Sequence, residues 1–239
     1  MSTTQADFSG KLALVTGATR GLGYGCAQAL AKAGAHVLLV GRTQGALEEL
    51  YDIISSAGGE ATGVPLDLTD FDALDRLGAT LAERWGKLDI LVGNAGLLGP
   101  LTPTAHIAPD EFEKTMAVNV TANARLIRSM EPLLMQAEAP RAVFVTSGAA
   151  SKAPAFWGTY ATSKAALNAL VQSWAHEHEN DKLRVNLLSP GPARTAMRAK
   201  AMPGEDPLTL PTPADIAPLF LELLSPDFTQ TGQIIRYQA

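Results

Sequence analysis

The sequence predicts an α/β protein in which a parallel sheet of seven strands lies between two layers of helices. Seven short segments rich in aliphatic residues recur along the 239-residue chain, and their unbroken hydrophobicity is typical of strands buried on both faces. Segments of helical length alternate with them. This alternation produces βαβ units with right-handed crossovers, which place helices on both faces of one parallel sheet.

Strands and helices alternate from one end of the chain to the other. The predicted strands are 11–17, 36–41, 61–67, 88–94, 142–147, 184–189 and 233–237. The predicted helices are Gly21–Ala33, Gln44–Ala57, Phe71–Trp85, Asp110–Gln136, Tyr160–Asn180 and Pro213–Leu224. Proline, glycine and aspartate mark the joins between them. Together these elements predict a doubly wound, Rossmann-type three-layer sandwich.

The segment between the sixth strand and the last helix has no hydrophobic period. Pro203, Pro207, Pro211 and Pro213 interrupt it, together with Gly204. Because a strand precedes this segment and a helix follows it, we expect a mobile substrate flap near residues 194–212. No change in composition divides the chain, and 46% hydrophobic residues suit one well-buried core. We therefore expect a single Rossmann-type domain over residues 1–239.

Composition argues against several classes of function. The net charge is −5 with acidic and basic residues interleaved, so no basic surface is offered to nucleic acid or to a membrane. No signal peptide or membrane span is recognisable, and the one cysteine, Cys26, cannot form an internal disulfide. We expect a cytoplasmic protein. No metal site is expected either, because His176 and His178 lie two residues apart on a predicted helix and diverge.

The turn after the first strand has the features of a phosphate-binding loop. The segment "TGATRGLG", residues 16–23, ends that strand and opens the first helix. Gly17, Gly21 and Gly23 permit a sharp turn and a close approach to a pyrophosphate, which the helix N-terminus attracts. Their spacing, G-x-x-x-G-x-G, differs from the dinucleotide fingerprint G-x-G-x-x-G. A plain tight turn is the alternative interpretation.

The residue after the second strand indicates which dinucleotide the loop binds. An NAD site places an acidic residue there to bind the ribose hydroxyls, whereas this chain has Arg42 in "VGRT". Arg42 and Arg20 of the glycine loop can donate paired hydrogen bonds to a 2′-phosphate. We therefore expect NADP(H) as the preferred cofactor, with NAD(H) possible. Two ordinary surface arginines are the alternative interpretation.

Tyr160 and Lys164 in "YATSK" lie four residues apart, so a helix places both on one face. A cation one turn from a phenol favours the phenolate and lowers its pKa, which suits a general acid or base near neutral pH. An exposed helix face with a solvated lysine gives the same pattern. The pair alone does not decide between these interpretations.

Six motifs together resemble the short-chain dehydrogenase/reductase family in their order and approximate spacing. They are "TGATRGLG", "NAG" at 94–96, Asn119 in "VNV", Ser147 in "VTSG", "YATSK" and "SPGPART". The resemblance covers nearly the whole chain, and its C-terminal part is similar to the YciK-like branch of the family. Six motifs in register are far more specific than one. They favour the catalytic interpretation of Tyr160 and Lys164.

The resemblance implies a role for each of four catalytic residues. Tyr160 would be the general acid or base, and Lys164 would bind the nicotinamide ribose and hold positive charge near the phenol. Ser147 would hydrogen-bond the reacting oxygen of the substrate. Asn119 would support a water that leads protons away from Lys164.

The resemblance also implies contacts with the cofactor. Asp67 would bind the adenine amine, Asn94 and Gly96 the adenine ribose, and Thr195 the carboxamide. The full predicted set is Gly17, Thr19, Arg20, Gly21, Leu22, Gly23, Arg42, Asp67, Leu68, Asn94, Ala95, Gly96, Tyr160, Lys164, Pro190, Gly191 and Thr195. The chain departs from the family at Gly93, where many members have a first asparagine before "NAG".

These observations predict an NADP(H)-dependent oxidoreductase that interconverts a carbonyl and an alcohol on a small, fairly apolar substrate. The expected substrate pocket is lined by Phe156, Trp157, Leu97, Leu98 and Met197. A non-catalytic NAD(P)-binding regulator or scaffold is the alternative. A sugar-nucleotide epimerase is disfavoured, since the chain is too short for an added substrate domain. The helices at 110–136 and 160–180 resemble those through which the family forms homodimers or homotetramers.

Overall fold

The computed structural model describes residues 7–238. The strands are β1 Leu12–Thr16, β2 His36–Gly41, β3 Glu60–Pro65, β4 Ile90–Gly93, β5 Arg141–Val145, β6 Arg184–Ser189 and β7 Ile234–Arg236. The helices are α1 Gly21–Lys32, α2 Gln44–Ser56, α3 Phe71–Trp85, α4 Pro109–Met116, α5 Ala122–Leu134, α6 Ala149–Lys152, α7 Gly158–Glu177, α8 Ala196–Ala201 and α9 Pro213–Leu224. None of these helices is both long and apolar enough to cross a lipid bilayer.

The strands form one sheet in the order β3-β2-β1-β4-β5-β6-β7, and every pairing is parallel. The predicted doubly wound fold is therefore confirmed. One buried apolar cluster joins the sheet to α1, α2 and α9, and a second joins its other face to α3, α5 and α7. The strand order reverses direction between β1 and β4. Loops leave these two strands toward opposite faces and open a crevice at their carboxyl ends.

The sequence predicts one continuous helix over residues 110–136, and this prediction is wrong. The segment consists of α4, a π-helical turn at Ala117–Thr121, and α5. A π-turn inserts one extra residue into a helix, and its centre here is Asn119, whose side chain is fully buried. Helices α6 and α8 are absent from the predicted elements, because segments of four and six residues are too short to show a helical period.

Candidate functional site

The β1–α1 turn brings the N-terminus of α1 to the crevice. Gly17 and Gly21 have φ values of +64° and +58°, a left-handed conformation that glycine adopts freely. At the N-cap of α1, Arg20 makes no capping hydrogen bond with its side chain, and the first turn carries no acidic residue. The helix dipole is therefore available to an anion. These features fit a phosphate group lying against the turn.

Asn94 and Thr16 hold this turn against the end of β4. The Asn94 amide nitrogen Nδ2 donates to the carbonyls of Thr16 and Gly17 at 2.8 and 3.2 Å. In return, the Thr16 hydroxyl accepts from the backbone N–H groups of Asn94 and Ala95 at 3.0 and 3.1 Å. A Cβ on Gly23 would come within 2.3 Å of Asn94 Nδ2. Gly23 is thus required for the close approach of α1 to the loop after β4, residues 94–103, which we call the β4 loop.

Arg42 and Asp67 face each other across the ends of β2 and β3. The guanidinium lies 3.8 Å from the carboxylate, and the two side chains are 63% and 45% exposed, so the ion pair contributes little to stability. Hydrogen bonds from the backbone and hydroxyl of Thr69 lower the pKa of Asp67, with a smaller contribution from Arg42. Arg20 is also exposed. The two predicted phosphate-binding arginines are therefore accessible to a ligand.

Tyr160 is buried at the start of α7, with 7% of its surface exposed. The sequence predicts a lowered pKa for this phenol, but burial raises the pKa of Tyr160 above its ordinary value. The nearby Ser147 hydroxyl lowers the pKa of Tyr160 but does not outweigh burial. Ser147 follows β5, at the same carboxyl edge of the sheet. The structure thus brings together the two residues predicted to contact the reacting oxygen.

Lys164 lies beneath this pair and is 3% exposed. Its Nζ donates to the carbonyl oxygen of Val145 at 2.8 Å and lies 5.9 Å from the centre of the Tyr160 ring. Burial lowers the pKa of Lys164 to about 8. The solvated helix face that the sequence left open as an alternative is therefore wrong. A buried amine facing a buried phenol is an arrangement typical of functional sites.

Asn119 joins α7 to the β4 loop. Its Oδ1 accepts from the N–H of Leu97 at 2.8 Å, and its Nδ2 donates to the Leu97 carbonyl and to the Ser163 hydroxyl, both at 2.9 Å. Ser163 in turn donates to the Tyr160 carbonyl at 2.8 Å. A Cβ on Gly96 would lie 3.4 Å from Lys164 Nζ. The π-turn, the β4 loop and α7 are thereby fixed to one another.

Two residues of this network, Thr16 and Ser163, are absent from the set predicted from the sequence. Both lie inside motifs that the sequence analysis singled out, and their hydroxyl groups were the only available signal. Their partners lie 78 and 44 residues away along the chain. Contacts of that kind follow from the strand order rather than from local spacing.

Tyr160 belongs to an apolar wall. The wall contains Leu98, Leu101, Trp157, Met197 and Ala201, and the Trp157 ring meets the Tyr160 ring edge to face at 5.9 Å. The structure thus unites three of the predicted pocket residues, Leu98, Trp157 and Met197. The predicted Leu97 is partly buried outside this wall.

Phe156 is also predicted to line the pocket, and it is 58% exposed. Its φ is +72° and that of Ala153 is +41°, a strained conformation for residues with a Cβ that costs about 1–3 kcal/mol each. A hydrogen bond of 3.0 Å from the Thr102 N–H to the Phe156 carbonyl holds this loop against the loop that follows β4. Strain of this kind clusters at functional sites.

The flap, residues 194–212, contains α8 and a 3₁₀ turn at Pro207–Thr209. Arg194 donates to the carbonyls of Pro207, Leu208 and Leu210 at 2.7 to 3.4 Å. Arg198 binds Glu205 through two hydrogen bonds of 2.6 Å. Both arginines therefore hold the flap together.

The remaining predicted cofactor contacts surround the same crevice. Pro190 and Gly191 follow β6, and Thr195 caps the N-terminus of α8 by accepting from the Arg198 N–H at 3.2 Å. The Thr195 methyl group lies 3.4 Å from a Cβ position on Gly21. Thr19, Leu22 and Leu68 are partly buried beside the ends of β1 and β3. Every residue of the predicted set therefore lies along the carboxyl edge of the sheet or on the helices that start there.

We expect the variant Lys164→Met to be more stable than the wild type at neutral pH, by about 1–3 kcal/mol, because it removes a buried charge. The lysine pKa is about 8 in the folded protein and about 10.4 in the unfolded chain. The unfolded state therefore binds more protons between these values, and wild-type stability rises with pH across that window. The advantage of the variant should shrink accordingly.

Urea unfolding between about pH 7 and pH 10 measures this difference. Lys200→Met is the matched control, since Lys200 is exposed on α8 and its loss should leave the unfolding free energy unchanged at every pH. A variant Lys164→Met whose advantage stays constant with pH would contradict the depressed pKa of Lys164.

Comparison with known proteins agrees with this geometry. The family model described as short chain dehydrogenase matches residues 11–206. The Escherichia coli K12 protein named "Uncharacterized oxidoreductase YciK" is 39% identical over 91% of this chain and 87% of its own length. The solved structure of the oxidoreductase yciK from E. coli superposes with a TM-score of 0.95 at 37% identity, covering 100% of this chain and 99% of that one.

A second solved structure has a bound cofactor. It is a short chain dehydrogenase from E. coli CFT073 complexed with NADPH, with a TM-score of 0.94 and 37% identity over 99% of this chain and 100% of that one. The predicted resemblance to the YciK-like branch is confirmed. The family model and these relatives each span most of the chain. This chain therefore belongs to the short-chain dehydrogenase family of oxidoreductases.

Proposed function

We propose that the protein is an NADPH-dependent reductase that converts a carbonyl group of a small, apolar substrate into an alcohol. The observation that carries this proposal is the buried Tyr160 phenol, near the Ser147 hydroxyl and backed by the Lys164 amine, beside a phosphate-binding turn. Family membership supplies the reaction class. The roles of individual residues rest on their geometry.

The raised pKa of Tyr160 favours the reductive direction. Reduction requires a proton donor for the alkoxide that forms as the carbonyl is reduced, and a phenol with an elevated pKa is protonated at neutral pH. A bound nicotinamide cofactor supplies the hydride. Tyr160 then gives its proton to the substrate oxygen, while the Ser147 hydroxyl orients that oxygen by a hydrogen bond.

Lys164 and Asn119 support the proton transfer. With a pKa of about 8, Lys164 carries a positive charge at neutral pH, and this charge stabilises the tyrosinate that remains after Tyr160 has given up its proton. Asn119 fixes the π-turn and the β4 loop around the amine through Leu97 and Ser163. The proton that Tyr160 needs for the next turnover arrives from the Lys164 side of the phenol.

The crevice fits an extended dinucleotide with a 2′-phosphate. The pyrophosphate is assigned to the α1 N-terminus at Gly21, and the 2′-phosphate to the exposed Arg20 and Arg42. Two similar structures, from E. coli CFT073 and from Shigella flexneri, are described as complexed with NADPH and NADP. They support NADP(H) over NAD(H) for this chain.

The apolar wall of Leu98, Leu101, Trp157, Met197 and Ala201 indicates the substrate class. Both flap arginines are already engaged within the flap, Arg194 with backbone carbonyls and Arg198 with Glu205. An uncharged ketone or aldehyde with an apolar substituent suits it best. The flap at 194–212 is assigned to cover this substrate, as part of a single domain over residues 1–239.

The cofactor assignment predicts the behaviour of Arg42→Ala. The wild type should bind NADPH more tightly than NADH, and the variant should lose most of this difference, about 10–100-fold, since charge-assisted hydrogen bonds contribute about 1.5–3 kcal/mol. Fluorescence titration with both cofactors measures the two Kd values. Arg84→Ala is the control, because Arg84 is exposed at the far end of α3, where it stacks on Trp85. Tighter binding of NADH than of NADPH by the wild type would contradict the cofactor assignment.

A further inference from the structure

Helix α1 contacts both ends of the flap. Thr195, at the start of the flap, lies against Gly21, where a Cβ would be 3.4 Å from its methyl group. Pro213, just beyond the flap, lies against Gly25, where a Cβ would be 3.0 to 3.1 Å from the carbonyl oxygen, carbonyl carbon and Cβ of the proline. Gly21 and Gly25 are one turn apart on the same face of α1.

A side chain at Gly25 would fit only if Pro213 shifted by a few tenths of an ångström. Gly25 is buried within α1, and a separation near 3.0 Å from backbone atoms is tighter than ordinary packing allows. The opposing backbone is rigid, because Pro213 is the first residue of α9 and a capping box between Thr212 and Asp215 fixes that helix start. An added methyl group at Gly25 would therefore displace the end of the flap rather than a flexible side chain.

Arg194 ties the two ends of the flap together. Its backbone N–H donates to the Pro211 carbonyl at 2.8 Å, and its guanidinium binds carbonyls at Pro207, Leu208 and Leu210. Between these ties, α8 packs Met197 and Ala201 against the apolar cluster that contains Tyr160. A displacement at either end of the flap thus reaches the apolar wall beside the phenol.

We propose that Gly25 and Arg194 are positioning residues that set the placement of the flap over Tyr160, and thereby the affinity for the carbonyl substrate. This inference rests on the proposed function only in naming the substrate. Neither residue belongs to the set that binds cofactor or reacts. Their effect should appear in KM, with kcat and cofactor affinity preserved.

The test compares Gly25→Ala with Gly45→Ala. Gly45 lies exposed in the first turn of α2, where a Cβ would meet nothing within 4 Å. With a panel of neutral aryl and alkyl ketones and NADPH, Gly25→Ala should raise KM about 3- to 10-fold, since misplacement far from the chemistry is costly. Its kcat and its Kd for NADPH should stay within about twofold of the wild-type values, and Gly45→Ala should change none of the three.

Limited trypsin digestion supplies a readout that needs no turnover. Lys200 is exposed on α8 within the flap, so Gly25→Ala should be cleaved there faster than the wild type, while its thermal unfolding remains cooperative. Arg194→Gln loosens the same flap without changing α1, and it should show the same signature if Gly25→Ala does not fold. Unchanged KM and unchanged cleavage in a folded variant overturn the inference. If the wild-type protein does not bind NADPH, the proposed function is overturned instead.

Discussion

Replacing Tyr160 with phenylalanine is expected to lower kcat for carbonyl reduction by about 10²–10⁴-fold, the usual contribution of a positioned general acid. The change removes one oxygen and leaves the ring that packs against Trp157 at 5.9 Å. The lost hydroxyl contributes at most one hydrogen bond, so the variant should fold with a stability within about 1 kcal/mol of the wild type. The loss should therefore appear in kcat.

Steady-state rates from NADPH absorbance and a fluorescence titration with NADPH separate these effects. Tyr51→Phe provides the matched control, since Tyr51 is 45% exposed on α2 and its hydroxyl is remote from the crevice. If Tyr160→Phe keeps its turnover, the phenol is not the proton donor. A wild type that binds NADPH yet reduces no carbonyl of the panel would favour the non-catalytic regulator over the reductase.

Much of the fold follows from local pattern. The seven apolar segments became the seven strands, because a strand buried on both faces of a parallel sheet carries an unbroken hydrophobic run. The π-turn at Ala117–Thr121 could not be predicted this way. It depends on Asn119 bonding to Leu97 and Ser163, which lie on other elements. A helical period in the sequence carries no information about such partners.

The expected pKa of Tyr160 shows a second limit of local reasoning. Spacing places Lys164 one turn from the phenol and predicts a lowered pKa, but it does not reveal that both groups are buried. Desolvation then raises the pKa of the phenol and lowers that of the amine. The direction of each shift depends on burial, which in turn depends on how the β4 loop, α7 and the flap pack.

A histidine at the end of α7 illustrates the same point. The spacing of His176 and His178 predicts only that their side chains diverge, and His176 is exposed. His178, however, bonds to Asp181 through Nδ1 and lies 3.5 Å from Glu131 through Nε2. These carboxylates outweigh the effect of burial and raise the pKa of His178. Glu131 comes from α5, so its approach depends on packing between helices.

The departure at Gly93 has a structural cause in the neighbouring strand. Gly93 ends β4 and pairs directly with Phe144 of β5. A Cβ on Gly93 would lie 2.2 Å from Cδ1 and 2.4 Å from Cε1 of the Phe144 ring. Phe144 is fully buried, and its ring meets that of Trp174 edge to face at 6.2 Å. The ring therefore occupies the volume in which a side chain at position 93 would lie.

Restoring the asparagine of the family motif should consequently destabilise this protein severely. We expect Gly93→Asn to lower the unfolding free energy by about 2–6 kcal/mol, which combines overpacking of a dense core with an amide buried without partners. Gly63→Ala is the control. Gly63 lies on the edge strand β3, where a Cβ would have one ordinary contact of 3.6 Å with Leu47, so its effect should remain within about 0.5 kcal/mol.

A double-mutant cycle with Phe144→Ala identifies the ring as the cause. Phe144→Ala alone should lower the unfolding free energy by about 3–5 kcal/mol, because it leaves a cavity beside Trp174. In that background the cost of Gly93→Asn should fall by at least about 1 kcal/mol, since the amide can enter the vacated volume. Urea unfolding of the four proteins gives the coupling energy. Strictly additive effects would show that Gly93 and Phe144 do not constrain each other, and that the glycine is retained for another reason.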